Sequence, residues 1–453
     1  MAHEDFRPGQ PGYDEELAGY QLAVRPRPAV VVAATGPSDV RRAVGYGLPV
    51  GVTATGHGRV VTEDGGVLVT TRRMAGVTVD PASATAWVAA GTRWDAVIDA
   101  AAPHGLAPLS GGAPHVGAVG YTLGGGIGLL SRRYGFAADH VRELEVVTAD
   151  GELRRVGPGD DLFWALRGGR DNFGVVTGMR IGLLPVTTLY GGGLYFDTDL
   201  VPDALAAYLE WTATVPDELT SSIAVVPFPD VPALPPALRG RHAAHIRIAH
   251  LGGVDEGDRL AKPLRDVGPR LVDTLGALPY SASGTIHNDP PMPAAYHSTA
   301  ALLRDFDATA ARSVLAAAGP GAPAEADDRR GGFASGRACV IELRHLGGAM
   351  ARPPDVPGAI GHRDAGFLLG VLSRLPGVDP DAEIAAVTPT HERVLAVTDR
   401  IGTSVNFLGT RNTADDVRSA YDPADRDRLA RLKAVHDPGN LFRLNANIAP
   451  VTI

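Results

Sequence analysis

Cysteine is nearly absent: Cys339 is the only one in 453 residues. That excludes an intramolecular disulfide and a cysteine-based zinc site, and it fits a reducing compartment. Lysine is almost as scarce. Lys262 and Lys433 are the only two, so a Schiff-base chemistry with pyridoxal phosphate has few candidates. No run of 18 apolar residues exists to span a bilayer. Residues 1–12 are polar, carry two prolines and lack the apolar core of a secretory signal. A cytoplasmic location without membrane contact is the expectation. The net charge of −9 gives no overall basic character for nucleic acid or an anionic surface. Several motifs are missing too. Gly124-Gly125-Gly126-Ile127-Gly128 lacks the third glycine of a dinucleotide fingerprint. There is no Walker A loop, no G-x-S-x-G elbow and no H-E-x-x-H. His242, His245 and His250 have no carboxylate at ligand spacing and read as a strand with partly exposed histidines, so no metal is expected.

What is present is a globular chain. Hydrophobic residues make up 45% and charged residues 21%, and Gly 56 with Pro 36 predicts many tight turns. At ~150 residues per domain the length suggests about three domain-sized units. Residues 29–34, 50–54 and 66–70 read as short apolar strands, with a helix over 40–46 capped by Ser38. Residues 85–90 alternate as a strand. Residues 92–104 read as a helix with Trp94, Val97, Ile98 and Ala101 on one face. Residues 144–148 with Asp150-Gly151 form a strand running into a hairpin turn. Beyond about residue 185 alternation dominates, at 194–197, 223–226, 245–249 and 340–343, which predicts a half-buried antiparallel sheet. Between these strands lie a helix at 202–212, a proline-rich loop at 227–240 and a mobile loop at 319–332. A last helix over 422–433 ends at Pro438 and Gly439.

Two segments carry chemistry. In Thr53-Ala54-Thr55-Gly56-His57-Gly58 a histidine between glycines directly follows an apolar strand. Backbone can approach a ligand closely there, and the amides can form an anion-binding nest. The plainer reading is a turn with an incidental histidine. The second segment, residues 110–128, is rich in glycine and contains no Asp, Glu, Lys or Arg, while Val116, Val119, Leu123 and Ile127 are apolar. A surface loop would carry charge; burial against a bulky ligand explains its absence better.

Together these segments resemble the flavin domain of the FAD-linked oxidases related to berberine bridge enzyme and 6-hydroxy-D-nicotine oxidase, within the vanillyl-alcohol-oxidase fold. The resemblance continues through Ala149-Asp150-Gly151, the run Asp161-Leu162-Phe163-Trp164-Ala165-Leu166-Arg167-Gly168-Gly169 and Asn172-Phe173-Gly174-Val175-Val176-Thr177. Gly347-Gly348-Ala349, His362-Arg363 and Asn406-Phe407 are weaker landmarks. Arg428-Leu429 and His436-Asp437-Pro438-Gly439-Asn440 through Asn447-Ile448 match the closing segment. The resemblance covers essentially the whole chain.

It implies an α+β fold: a two-subdomain FAD-binding domain of the vanillyl-alcohol-oxidase (PCMH) type at 1–187, a substrate domain with an antiparallel sheet flanked by helices at 188–400, and a segment returning to the FAD domain at 401–453. It implies that His57 bonds covalently to the flavin 8α-methyl. Ala113 stands where many relatives carry a second, cysteine tether, which leaves one link. Backbone amides from 54–58 and 112–128 are expected at the pyrophosphate, among them Ala54, Thr55, Gly56, Gly58, Gly112, Gly117, Gly120, Gly124, Gly125 and Gly128. Val175 and Val176 are expected near the adenosine half, and Asn406, Asn445 and Asn447 near the isoalloxazine. Relatives carry a tyrosine or a glutamate as base where this chain has Ser404 and Leu369. Tyr121, Tyr280, His287, Glu342, His345 and Asn406 remain as pocket candidates. The implied activity is hydride transfer from an alcohol or amine C–H to covalently held FAD and then to O₂, with a small cyclic or natural-product molecule of secondary metabolism as substrate. An oxygenase, a cyclase or a non-redox catalyst on the same fold stays open.

Overall fold

The computed structural model describes residues 4–59, 65–322 and 338–452. Of the loop expected at 319–332, residues 323–332 lie outside the described residues.

The first sheet has the order Asp5–Phe6, Val30–Ala33, Val67–Thr70, Val50–Thr53. Its last three strands are parallel. Val30–Ala33 and Val67–Thr70 are buried at every position, the pattern of strands covered on both faces. Helix Pro37–Val44 packs on this sheet. It starts earlier than expected, and Ser38 is not its cap. Gly36 takes that place and Pro37 occupies the first turn, where a missing N–H costs nothing.

The second sheet is antiparallel, in the order Val77–Asp80, Thr85–Ala89, Val175–Gly182, Val141–Val147, Leu153–Val156. Helix Trp94–Ala101 buries the four residues expected of it, Trp94, Val97, Ile98 and Ala101. It ends earlier than its periodicity suggests, because Pro103 forces a short 3₁₀ turn, Ala102–His104.

The third sheet is antiparallel and large. Among the described residues it runs Arg270–Asp273, Thr188–Phe196, His242–His250, Leu219–Pro227, Cys339–His345, Phe367–Arg374, Tyr296–Leu303, Arg400–Gly402, with Gly276–Pro279 also on Thr188–Phe196. Period-two alternation divides its faces. Ile223, Ile246, Ile341 and Leu343 join Tyr208, Trp211, Leu264, Val314 and Val394 of the covering helices in one core. Ser222, His245, Arg247, Glu342 and Arg344 sit at the alternate positions.

After this sheet the chain returns. Helix Pro423–His436 leads to a closing stretch whose Leu441 carbonyl accepts from the Val50 N–H at 2.8 Å. Asn172 fastens that stretch: its Nδ2 donates to Ala446 O at 3.0 Å, and its Oδ1 accepts from Ile448 N–H at 2.8 Å. No helix among the described residues is long and apolar enough to cross a membrane.

Candidate active site

The loop with His57 leaves the C-terminal end of the parallel strand Val50–Thr53, where open parallel sheets bind ligands. Gly56 has φ +78°, and a Cβ there would stand 2.9 Å from Gly19 Cα, so glycine is required. His57 Nδ1 lies 2.8 Å from the Thr55 hydroxyl, which also accepts from the Gly117 N–H at 3.2 Å. Tyr20 stacks on the imidazole with centroids 3.9 Å apart, and the His115 ring stands 5.0 Å away. His57 Nε2 is buried without a partner. Burial, helped by the electrostatic influence of His115 and Arg93, pushes the His57 pKa down to about 3. The ring is a neutral imidazole with one unclaimed nitrogen.

The glycine stretch turns over this loop. Ala54 and Thr55 lie against Gly117, and Arg170 reaches from Gly58 to the Val405 carbonyl. Gly120 is exposed on the short helix Ala118–Leu123. The rest of the stretch admits no side chains where its neighbours press in. A Cβ on Gly124 would fall 2.0 Å from Asn406 Oδ1, and one on Gly112 would fall 2.4 Å from His287 Cδ2. Gly125 has φ +103°, and Gly128 lies against the Ser110 carbonyl. Asn406 Nδ2 donates to Tyr121 O at 2.8 Å, which brings the return segment onto the glycine stretch. Ala113 is half-buried and the described residues put no cysteine near it, since Cys339 is buried in the third sheet's helix-side core.

Across from Gly112 lies the charged face of the third sheet. Arg247, Ser222 and Arg344 stand in register on three adjacent strands. Arg247 Nη1 donates to Glu342 Oε1 at 2.6 Å, and Arg344 Nε donates to Glu342 Oε2 at 2.9 Å. His287 Nδ1 is 4.0 Å from Glu342 Oε1. Burial works to raise the Glu342 carboxyl. Arg344 and Arg247 outweigh it and hold the group below the ordinary carboxylate range. His287 and His245 are pushed well below their usual value by burial, with the guanidiniums adding to it, and stay neutral. Gly112, Gly128, Ser222, Arg247, His287 and Arg344 line one cavity.

Residues 28–157 match the family described as an FAD binding domain. Over 446 residues the chain is 29% identical to (R)-6-hydroxynicotine oxidase of Paenarthrobacter nicotinovorans, covering 94% of this chain and 92% of the relative. A berberine bridge enzyme-like protein of Arabidopsis thaliana is 33% identical over 183 residues, 37% of this chain and 34% of the relative. The crystal structure of 6-hydroxy-D-nicotine oxidase from Arthrobacter nicotinovorans superposes with a TM-score of 0.86 at 24% identity, covering 100% of this chain and 98% of that one. The chain is an FAD-linked oxidoreductase, homologous to 6-hydroxynicotine oxidase and the berberine bridge enzyme-like proteins. Its fold is theirs.

Within this oxidoreductase the expected residues fall into groups. His57, Thr55 and Gly117 meet, as do Gly124, Tyr121 and Asn406, and as do Gly112, His287 and Glu342. Asn445 and Asn447 lie in the closing stretch, each with a buried side-chain oxygen that has no partner. The Val175 and Val176 side chains are buried in two different cores, which leaves their backbone as the contact surface. Tyr280 is tied elsewhere: its hydroxyl donates to Pro108 O at 2.6 Å and lies 2.9 Å from Ser110 Oγ, and burial raises its pKa to about 12. His345 Nε2 is 2.9 Å from Arg132 Nη1. Leu369 faces the helices, paired with Leu343. Gly370 is level with Glu342, so that strand offers no carboxylate there. His242, His245 and His250 share one strand, and no group of three potential ligands among the described residues could hold a metal.

Three participants were not singled out from the sequence: Tyr20, Arg59 and the Arg247–Arg344 pair. Tyr20 comes from a distant segment without a motif, and Arg59, although it directly follows Gly58, gains its place only through its contact with Gly19. Arg59 Nε and Nη2 are buried without acceptors beside Gly19, and burial together with Arg72 lowers its pKa to about 10. The arginine pair did have a signal. His245-Ile246-Arg247 and Glu342-Leu343-Arg344 each put two polar groups on one strand face.

Proposed function

We propose that the chain is a cytoplasmic FAD-dependent oxidase in which His57 alone carries the flavin covalently. The observation that carries this reading is His57 itself: neutral, buried, oriented by Thr55 and left with one ring nitrogen free at the end of a parallel strand. The chain's unpaired groups suit FAD. Arg59 has two buried donors in want of an anion, and Asn445 and Asn447 have buried acceptors in want of donors. The glycine stretch would let its backbone come close to a pyrophosphate. Residues 1–187 and 401–453 would hold the cofactor, and residues 188–400 would shape the substrate side.

Bound there, FAD would take a hydride from an alcohol or amine C–H of the substrate and pass the electrons to O₂, giving hydrogen peroxide. The chain's part is to bind and orient. Asn406 fixes the return segment against the glycine stretch, and Tyr121 fills the space beneath Gly111 and Gly126. Glu342, held ionised by two guanidiniums, is a weak proton acceptor. The substrate's proton therefore leaves to water, or its amine lone pair assists.

The test begins with acid-denatured protein on a gel. Flavin fluorescence should stay with the polypeptide and disappear in His57→Ala. Anaerobic screening of alcohols and amines should then find one that bleaches the flavin, and admitting O₂ should restore the colour and release peroxide. Flavin that washes off the denatured parent protein, or an oxygen atom appearing in the product in place of peroxide, would sink the reading.

A further inference from the structure

The face of the third sheet turned toward Gly112 and His287 carries an unbalanced buried charge. Arg247 and Arg344 share one carboxylate, Glu342. Ser222 between them is neutral, and His245, whose Nδ1 is 3.2 Å from Arg247 Nε, is buried and uncharged, as is His287. Asp289 contributes a weaker negative field on Arg344 from an exposed loop, where solvent screens it. Among the described residues Arg247 Nη2 and Arg344 Nη1 have no hydrogen-bond partner, and both residues line the cavity. Arg247 is only 7% exposed. A protein that needed these groups for stability alone would balance them, because a buried charge without a partner is costly. Two guanidinium edges that converge on a cavity with one positive charge in excess make a seat for a planar anion.

We propose that the substrate carries a carboxylate, bound by Arg247 and Arg344 on the sheet face opposite Gly112. Glu342 then acts as the positioning residue: it ties Arg247 through Nη1 and Arg344 through Nε and leaves Arg247 Nη2 and Arg344 Nη1 for the anion. This rests on the reading of the cavity as the substrate side of the flavin site, and it narrows the alcohol or amine proposed above to one that also bears an acid group.

Benzoate, benzamide and benzylamine serve as probes of one shape and three charges. Each is titrated into the flavin-loaded protein and followed by calorimetry and by the flavin difference spectrum. Benzoate should bind at least ~10-fold more tightly than the other two, in keeping with a charge-assisted contact. Arg247→Gln and Arg344→Gln should each weaken benzoate at least ~10-fold at unchanged flavin content. Glu342→Gln frees a second positive charge and should tighten benzoate, a gain that a merely structural role for the cluster would not produce. The ligand series on the parent protein needs no variant to fold. Equal affinities for the three probes, no heat and no spectral change with benzoate, or arginine variants that keep the parent affinity would each overturn the proposal. Peroxide formation is measured apart from this. Benzoate binding without any peroxide removes the oxidase reading alone, and peroxide from uncharged substrates that benzoate does not inhibit removes the carboxylate proposal alone.

Discussion

Lys433 Nζ lies 2.7 Å from Asp437 Oδ2, one helical turn on, with both side chains buried. The ammonium spends its other protons on Asn172 O at 2.6 Å and Phe442 O at 2.9 Å. Asp437 in turn accepts from the Leu441 and Phe442 N–H groups at 2.7 and 2.9 Å. Every donor is used, so this ion pair escapes the usual penalty of buried charge and ties the last helix to the closing stretch. One of only two lysines in the chain is therefore structural. Lys433→Met should strip Asp437 of its counter-charge and cost about 3–5 kcal/mol. The change is read as a fall in the urea midpoint at constant m-value. An unchanged midpoint would refute the role.

Asn172 acts on the same stretch through its side chain, with bonds to Gly169 O, Ala446 O and Ile448 N. Asn172→Ala should leave those buried groups unpaired, at about 1–3 kcal/mol each where water cannot reach. The closing stretch carrying Asn445 and Asn447 should loosen first. We expect flavin content to fall in preparations that still show a cooperative unfolding transition. Full flavin content with a normal transition would rule this out.

Thr55→Val removes the hydroxyl 2.8 Å from His57 Nδ1 but keeps the side chain's shape. The imidazole should lose its orientation and not its position. FAD should still bind, with the fraction retained through denaturation clearly reduced. A fully retained flavin would mean that Tyr20 stacking alone sets the ring.

The parallel strands and the alternating third sheet were legible because their periods are local: four apolar residues in a row in one, strict alternation in the other. The His57 loop was legible from its glycines and its place after a strand. Helix ends were read less well, since Pro37 and Pro103 set them through single backbone donors that a hydrophobic period does not register. Tyr20 on His57 and Arg59 beside Gly19 were invisible because both depend on contacts between segments far apart in sequence. Leu369, at the position matched to the relatives' glutamate, turns to the helix-side core, and a face is decided by a single residue of register that the resemblance does not fix.

Turnover should show no ionisation of a protein base. Tyr280 is bound to Pro108 and Ser110, burial raises the buried Tyr121 hydroxyl further above its ordinary range, and Glu342 is clamped below the ordinary carboxylate range. The rate of flavin reduction with saturating substrate should be flat between about pH 6 and 10, or follow the substrate's own ionisation. Tyr121→Phe, Tyr280→Phe, His287→Asn, Glu342→Gln and His345→Asn should each cost less than about tenfold in that step. A loss of ~10³-fold at any one, with flavin intact, would identify a base, since general-base help is worth ~10²–10⁴-fold.

Acid should unfold the protein through its histidines. Burial pushes His345 and His391 down to about 3 and His297 to about 4, and holds His245 and His287 well below their usual value. His391 is typical: it lies between Ser373 Oγ and Thr299 Oγ1 at 3.0 Å each, with His297 at 4.7 Å. The folded state keeps these rings neutral, while the unfolded chain protonates each near its free value of about 6.5. The unfolded state binds more protons below that value, so stability is full above about pH 6.5 and falls as the pH drops toward the folded pKa values. Carboxylates with lowered pKa, such as Asp150, lowered to about 2, and Glu342, lose their contribution only below about pH 4.5. The interval from pH 6.5 to 4.5 therefore belongs to the imidazoles. Each one protonated only on unfolding steepens the stability curve by up to about 1.4 kcal/mol per pH unit. Tm measured across that interval at constant ionic strength should fall steadily toward acid, and His391→Gln should remove about one proton's worth of slope. A flat Tm, or a His391→Gln slope equal to the parent's, would mean that these imidazoles carry protons inside the fold.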